Sequence, residues 1–169
     1  MKTVIMAGGK GTRISSVATD VPKPMIEIDG IPVLEREIMC LRDQGFKDII
    51  ITVSHLGSII MEYFRDGTGI SSATGESFGV NITYYFEHEP LGNAGALFKL
   101  KESLVEDFLL LNADSLFDVD FNRFVEYHKE KGGIATLFNH PNDHPYDSGL
   151  IFADGNNAVV KWLAKEDSR

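Results

Sequence analysis

The chain has 169 residues, 43% of them hydrophobic and 10% aromatic, which is enough to bury one sizeable core. Its formal net charge of -9 argues against nucleic acid or an anionic membrane as partner, since both require a basic surface. No apolar run approaches a membrane span or a signal-peptide core, and the single Cys40 cannot form an internal disulfide, so we expect a cytoplasmic protein.

Apolar runs mark the predicted strands. Residues 49–53 and 108–112 are short, continuously apolar runs, which is typical of strands buried on both faces of a sheet, and residues 2–6 also predict a strand. Residues 149–153 and 158–163 are separated by the turn sequence DGNN and predict a later hairpin.

Helical patterns alternate with these strands. Apolar residues at helical spacing over 31–44 stop at Gly45, and a second helix should begin after Asp120 and end at Gly132 and Gly133. The alternation predicts an α/β, Rossmann-like, three-layer αβα domain with a mostly parallel central sheet. Ligands are expected at the carboxyl ends of its strands.

A glycine-rich segment, MAGGKGTR at residues 6–13, follows the first predicted strand. Such a turn exposes backbone N–H groups and lets phosphate oxygens approach closely. A Walker sequence is excluded because no Gly-Lys-Ser/Thr stands at the required spacing, and a dinucleotide fingerprint fails because Ile14 replaces its third glycine. A loop that only reverses the chain leaves Lys10 and Arg13 unexplained. Phosphate binding is therefore the leading interpretation.

The first 25 residues carry four basic side chains against one acidic side chain, a local charge of +3 in an acidic protein. Within this segment Pro22 and Pro24 flank Lys23, and each ring fixes its own φ and biases the preceding residue towards extended conformations. A lysine on so stiff a segment suits a phosphate contact, because little entropy remains to be lost. A simple loop to the next strand is the alternative for this tripeptide.

Asp114 is the candidate metal ligand. It follows the apolar run 108–112 by two residues, so it should emerge at the carboxyl end of a central strand, facing the glycine-rich segment. Mg²⁺ prefers one or two carboxylates together with substrate phosphates and waters. A strand-end turn residue is the alternative for Asp114, and a cap or turn is favoured for Asp118 and Asp120.

Four motifs in this order resemble those of the sugar-1-phosphate nucleotidyltransferase family: MAGGKGTR, VPKPM at 21–25, EPLGNAGAL at 89–97 and LLLNADSLFDVD at 109–120. The resemblance is nearest to mannose- or heptose-1-phosphate guanylyltransferases and spans almost the whole chain. It implies the nucleotide-diphospho-sugar transferase fold and transfer of a nucleotidyl group from a nucleoside triphosphate, with GTP favoured, to a sugar 1-phosphate. It also implies Mg²⁺ as cofactor.

The resemblance implies catalytic roles for three side chains. Arg13 would hold the departing pyrophosphate, Lys23 would contact the phosphate where bonds change, and Asp114 would bind the metal. Gly149 and Lys165 match positions that contact the sugar and its phosphate. The residues implied in nucleotide binding are Ala7, Gly8, Gly9, Lys10, Gly11, Thr12, Gly92 and Asn93.

Departures from the family pattern leave alternatives open. Asn93 stands where a threonine is usual, so dTTP, UTP, CTP and ATP remain alternatives to GTP. Residues 1–169 are expected to form a single domain that lacks the family's C-terminal part and its second acidic metal ligand. A non-catalytic domain that binds a nucleotide or a sugar phosphate is thus the second hypothesis, and a dehydrogenase is a distant third. An uncovered hydrophobic hairpin could also support a homo-oligomer.

Overall fold

The computed structural model describes residues 1–9, 20–89, 91–141 and 149–164. The chain divides into two compact units, Met1–Tyr127 and His128–Arg169. The expectation of one domain over residues 1–169 stays a prediction. None of the helices in the described ranges has the length and apolar character that a membrane crossing requires.

The described chain contains eight strands, four α-helices and one turn of 3₁₀ helix at Lys23–Met25. The strands are β1 (Lys2–Ala7), β2 (Glu27–Ile28), β3 (Ile31–Pro32), β4 (Asp48–Val53), β5 (Asn81–Phe86), β6 (Phe108–Asn112), β7 (Leu150–Ala153) and β8 (Val159–Leu163). The helices are α1 (Val33–Asp43), α2 (Gly57–Phe64), α3 (Gly92–Lys99) and α4 (Phe121–Lys131).

The first unit is organised around a parallel sheet with the strand order β5-β4-β1-β6. The two central strands, β1 and β4, are buried over most of their length, and Val4, Ile5, Ile49 and Ile51 expose no surface. Burial on both faces explains why β4 is almost continuously apolar rather than alternating. The expectation of burial on both faces is wrong for β6, because this strand lies at the end of the strand order and Leu110 is 44% exposed. The predicted α/β class, with its mostly parallel sheet, is confirmed.

The register of the sheet brings the carboxyl ends of the strands to one edge. Ala7 pairs with Val53, Val53 pairs with Phe86, and Met6 pairs with Asn112. The loops that follow β1, β4, β5 and β6 therefore leave the sheet side by side, which is where ligands bind in folds of this kind.

Helix α1 begins two residues later than predicted. Ile31 pairs instead with Ile28 across a tight turn, whose two central residues, Asp29 and Gly30, have φ values of 52° and 74°. Such a turn is typical of a two-residue β-hairpin. The second strand of this hairpin is Ile31–Pro32, so these two residues are not part of the helix. The predicted stop is confirmed, because Gly45 has a φ of 90° just beyond the helix.

The start of α4 is confirmed as well. The carboxylate of Asp120 accepts a hydrogen bond from the backbone N–H of Arg123 at 2.9 Å, which is the geometry of an N-cap. The helix then ends at Lys131, before Gly132 with its φ of 67°. Strand β5 and helix α2 have no counterpart among the sequence predictions.

The second unit contains the predicted hairpin of β7 and β8. Its turn is held by Asp154, whose carboxylate accepts hydrogen bonds from the backbone N–H groups of Asn156 and Ala158, both at 2.9 Å. Phe152 and Trp162 remain 47% and 59% exposed, so within the described residues the hairpin keeps an open apolar surface.

Gly67 gives a direct test of the packing around β5. Its φ is 82°, and a Cβ built there would lie 2.7 Å from the carbonyl oxygen of Val80. We expect Gly67→Ala to lower the free energy of unfolding by about 2–4 kcal/mol, since both the backbone conformation and the contact oppose a side chain. Urea denaturation followed by circular dichroism measures this change.

Gly45→Ala is the matched control for this substitution. Gly45 also has a positive φ, 90°, but a Cβ there meets nothing within 4 Å. The control should lose only ~1 kcal/mol, the penalty for the left-handed conformation alone. Equal losses in the two variants would contradict the steric argument.

Candidate active site

Loops from neighbouring strands are joined at the carboxyl edge of the sheet. The hydroxyl of Ser54, just after β4, donates a hydrogen bond to the carbonyl oxygen of Gly8 at 2.6 Å. The backbone N–H of Glu87, just after β5, donates to the carbonyl oxygen of Val53 at 2.7 Å. The first bond ties the start of the glycine-rich segment to the loop after β4, and the second ties the loop after β5 to the end of β4.

Lys23 and Asp114 meet at this edge although 91 residues separate them in sequence. The ammonium nitrogen of Lys23 lies 2.5 Å from Oδ2 of Asp114. Asp114 lies two residues beyond the carboxyl end of β6. Both side chains are partly exposed, at 36% and 38%. The structure thus brings together two of the three side chains that the family resemblance names as catalytic.

The segment around Lys23 is stiff, but it is not extended. Lys23 begins the 3₁₀ turn, in which the N–H of Met25 donates to the carbonyl of Pro22 at 2.8 Å and the N–H of Ile26 donates to that of Lys23 at 3.1 Å. These two bonds outweigh the extended bias that Pro24 imposes on the residue before it. Pro22 and Pro24 are buried, which anchors the turn.

Glu37 is a buried acidic residue close to this ion pair. Its side chain lies on the buried face of α1 with 2% of its surface exposed, and neither carboxyl oxygen forms a hydrogen bond among the described residues. Burial, and to a smaller extent the charge of Asp114, raises the pKa of Glu37 to about 9. At neutral pH, Glu37 is therefore a neutral acid.

Glu35, in the same helix, is a buried acidic residue whose carboxyl oxygens do have hydrogen-bond partners. It exposes no surface, but it accepts a hydrogen bond from the hydroxyl of Tyr63 at 2.6 Å and another from that of Thr74 at 3.1 Å. Glu37 was not among the predicted site residues, although its position in the helix could have indicated it. It shares the i, i+3, i+4, i+7 stripe with Leu34, Ile38 and Leu41, where an acidic residue is out of place.

Glu87 is a second residue that the sequence analysis missed. Its carboxyl group lies directly against Gly8, because a Cβ built on that glycine would come within 2.8 Å of Cδ of Glu87. The side chain is 9% exposed. A carboxylate over the glycine-rich segment opposes phosphate at that point and offers two acceptor oxygens to a ligand with N–H groups.

Comparison with known proteins decides the family. A family profile described as nucleotidyl transferase matches residues 2–165. The chain belongs to this nucleotidyl transferase family. The resemblance predicted from the four motifs is confirmed.

Two curated relatives are 37% identical to this chain over 98% of its length. One is a UTP--glucose-1-phosphate uridylyltransferase from Synechocystis sp., of which the chain covers 44%. The other is a D-glycero-alpha-D-manno-heptose 1-phosphate guanylyltransferase from Campylobacter jejuni, of which it covers 69%. The chain thus spans less than half of one relative and about two thirds of the other.

A solved structure is also similar to this chain. HddC from Yersinia pseudotuberculosis complexed with GMP-PN is 27% identical, with a TM-score of 0.72. The match covers 96% of the present chain and 68% of the HddC chain. The similarity supports the fold predicted from the alternating strands and helices.

Asp114 fits a divalent ion such as the Mg²⁺ that the family resemblance implies. Its carboxylate is reached by solvent and already has a cationic group, the Lys23 ammonium, as its partner. Among the residues that the structure describes, no cluster of three or more His, Cys, Asp or Glu side chains could enclose a metal. A single carboxylate completed by phosphates and waters is the arrangement that Mg²⁺ accepts.

The remaining predicted site residues fall into two groups, those that the structure describes and those that lie outside the described residues. Ala7, Gly8 and Gly9 lie at the end of β1 and just after it, and Gly92 begins α3 with a φ of 69°. Gly149 precedes β7, and a Cβ there would come 3.2 Å from the Trp162 ring. Outside the described residues lie Lys10, Gly11, Thr12, Arg13, Lys165 and the side chain of Asn93.

Proposed function

We propose that this chain transfers a guanylyl group from GTP to a sugar 1-phosphate, giving a nucleotide sugar and pyrophosphate. The contact between Lys23 and Asp114 beside the glycine-rich segment carries the proposal, since it assembles a phosphate-binding cation and a metal ligand at one edge. The chain covers 44% of the length of the Synechocystis relative, so the activity of the whole enzyme is a proposal for this chain.

The chemistry requires no protein nucleophile. A phosphate oxygen of the sugar 1-phosphate attacks the α-phosphorus of the triphosphate in line, and pyrophosphate leaves. In this proposal the backbone N–H groups of Gly8 and Gly9 approach the nucleotide, Lys23 holds the phosphate at which bonds change, and Arg13 holds the leaving pyrophosphate. Bound Mg²⁺, held by Asp114, would neutralise charge on the phosphate oxygens.

Sugar-phosphate binding is assigned to two residues. Gly149 would give the sugar access to the backbone, and Lys165 would contact its phosphate. Both assignments follow the family motifs, and the C. jejuni relative is named for a heptose 1-phosphate.

Glu87 supports guanine as the base. The Watson–Crick edge of guanine presents two neighbouring donors, N1–H and the N2 amino group, which match the two acceptor oxygens of one carboxylate. Uracil and thymine present a single N–H between two carbonyl oxygens, which a carboxylate would repel. The GMP-PN complex of HddC and the guanylyltransferase name of one relative agree with this choice.

A pyrophosphate-release assay tests the proposal. The five triphosphates GTP, dTTP, UTP, CTP and ATP are combined with mannose, heptose and glucose 1-phosphates in the presence of Mg²⁺. We expect turnover with GTP and one of these sugars. Preferred turnover with another triphosphate would overturn the base assignment. Binding of a triphosphate without turnover would instead favour the second hypothesis, a non-catalytic binding domain.

Replacing Glu87 tests the base assignment directly. Glu87→Gln keeps the size of the side chain but replaces one acceptor by a donor, so one guanine contact is lost and another is weakened. We expect kcat/KM for GTP to fall by about 30- to 150-fold, because a hydrogen bond to a charged group contributes roughly 2–3 kcal/mol. Steady-state kinetics with GTP and UTP measure the change.

The matched control is Glu89→Gln, two residues further on and exposed. It removes the same charge from the same loop, so general electrostatic effects on a polyanion are equal. We expect its kcat/KM for GTP to change by less than about threefold. A Glu87→Gln variant that keeps the wild-type ratio of GTP to UTP activity would refute the role of Glu87.

A further inference from the structure

The ammonium group of Lys23 is hydrogen-bonded to Oδ2, one of the two carboxylate oxygens that Asp114 could offer to a metal ion. Among the described residues, neither side chain forms another hydrogen bond. Each group is thus the other's partner, and a metal ion at Asp114 would compete with the positive charge of Lys23 for the same carboxylate.

The buried Glu37 is a poor alternative partner for Lys23, because its side chain is only 2% exposed and the ammonium group would have to leave water to reach it. If a divalent ion displaced Lys23 with no phosphate present, two cations would lie close together with one carboxylate between them. A triphosphate removes this conflict, since its oxygens give the ammonium a new anionic partner.

We propose that Lys23 gates the metal site: its ion pair with Asp114 suppresses divalent-ion binding until a triphosphate draws the lysine away. The proposal rests on the triphosphate binding assigned above, and it adds that metal and nucleotide bind cooperatively. By linkage, whatever frees Asp114 strengthens metal binding, and whatever frees Lys23 strengthens triphosphate binding. Lys23 thereby acts before the reaction as well as during it.

The first test uses Mn²⁺ alone as the probe, with no nucleotide. Free Mn²⁺ is measured by electron paramagnetic resonance in titrations of the wild type and of Lys23→Met, which keeps the unbranched side chain up to Cε and removes the charged group. We expect Lys23→Met to bind Mn²⁺ about tenfold more tightly, within the usual range of coupling between sites. Lys23→Arg should bind as weakly as the wild type, because it keeps the cation.

Lys47→Met controls for the loss of one positive charge. Lys47 is exposed and lies at the start of β4, at the opposite edge of the sheet. Its Mn²⁺ affinity should stay within about threefold of the wild type. If Lys23→Met also stays within this range, the gate does not exist.

The second test uses GTP without any metal, in EDTA, so that chelation of the ion by the nucleotide does not interfere. Asp114→Asn should bind GTP about tenfold more tightly than the wild type, because Lys23 is then released. Asp118→Asn, which removes the same charge four residues further on, is the control and should change binding by less than about threefold. Equal affinities in wild type and Asp114→Asn would overturn the proposal.

The two tests separate this inference from the proposed function. A wild type that binds no triphosphate, with or without Mn²⁺, would refute the proposed function. The first test would still decide whether the ion pair suppresses metal binding. A wild type that binds GTP while Lys23→Met gains no Mn²⁺ affinity would refute the gate alone.

Discussion

Asp114→Asn should lower kcat/KM for nucleotidyl transfer by about 10²- to 10³-fold at saturating sugar 1-phosphate. Asparagine has the shape of aspartate but lacks its charge, and the lost charge is what would hold a divalent ion against the phosphates. The same variant should bind metal-free GTP more tightly, so the loss would lie in turnover rather than in nucleotide binding. Pyrophosphate release over a range of Mg²⁺ concentrations measures the effect.

Asp118→Asn again serves as the control, because Asp118 is exposed and follows the same strand. Its activity should remain within about threefold of the wild type. The Mg²⁺ concentration for half-maximal activity should rise in Asp114→Asn and stay unchanged in the control. Full activity of Asp114→Asn at ordinary Mg²⁺ would remove Asp114 from the site.

Glu37→Gln should abolish a strong pH dependence of stability. Burial raises the pKa of Glu37 from its ordinary value of 4.5 to about 9 in the folded protein, so between these limits the folded state holds a proton that the unfolded state has lost. The free energy of unfolding of the wild type therefore falls as the pH rises, by about 1.4 kcal/mol for each pH unit. Between about pH 6 and pH 8 this amounts to roughly 2–3 kcal/mol.

Glutamine cannot ionise, so the variant should lack this slope and should gain stability relative to the wild type as the pH rises. Urea denaturation followed by circular dichroism at several pH values measures both curves. Glu62→Gln, on an exposed position of α2, should keep the wild-type slope. Parallel curves for wild type and Glu37→Gln would show that Glu37 does not hold its proton.

The central strands could be predicted from the sequence because their burial leaves a local mark. Strands β1 and β4 lie in the middle of the strand order, and their burial on both faces favours apolar residues along the run. Strands β5 and β6 lie at the two ends of the order, and each has one buried residue, Ile82 and Leu109 respectively. The sequence still predicts β6, because its FLLL run is apolar although Leu110 is exposed, whereas β5 mixes polar and aromatic residues and has no such run.

The residues of the candidate site also differ in how readily the sequence reveals them. The glycine-rich segment, Lys23 and Asp114 were predicted because their motifs are local and the ends of parallel strands meet at one edge. Glu87 reaches Gly8 only through the register between β5 and β4, which sequence spacing does not reveal. A contact that depends on long-range register becomes visible only in the folded chain.

Trp162 on the open face of the hairpin is the only tryptophan in the chain. Its fluorescence should have the red-shifted emission of a solvated indole, and it reports on the second unit rather than on the sheet. Because the ring covers Gly149, a sugar 1-phosphate that binds there should quench or shift this emission without any label. A melt recorded by tryptophan emission and by circular dichroism together would show whether the two units lose their structure at one temperature or at two.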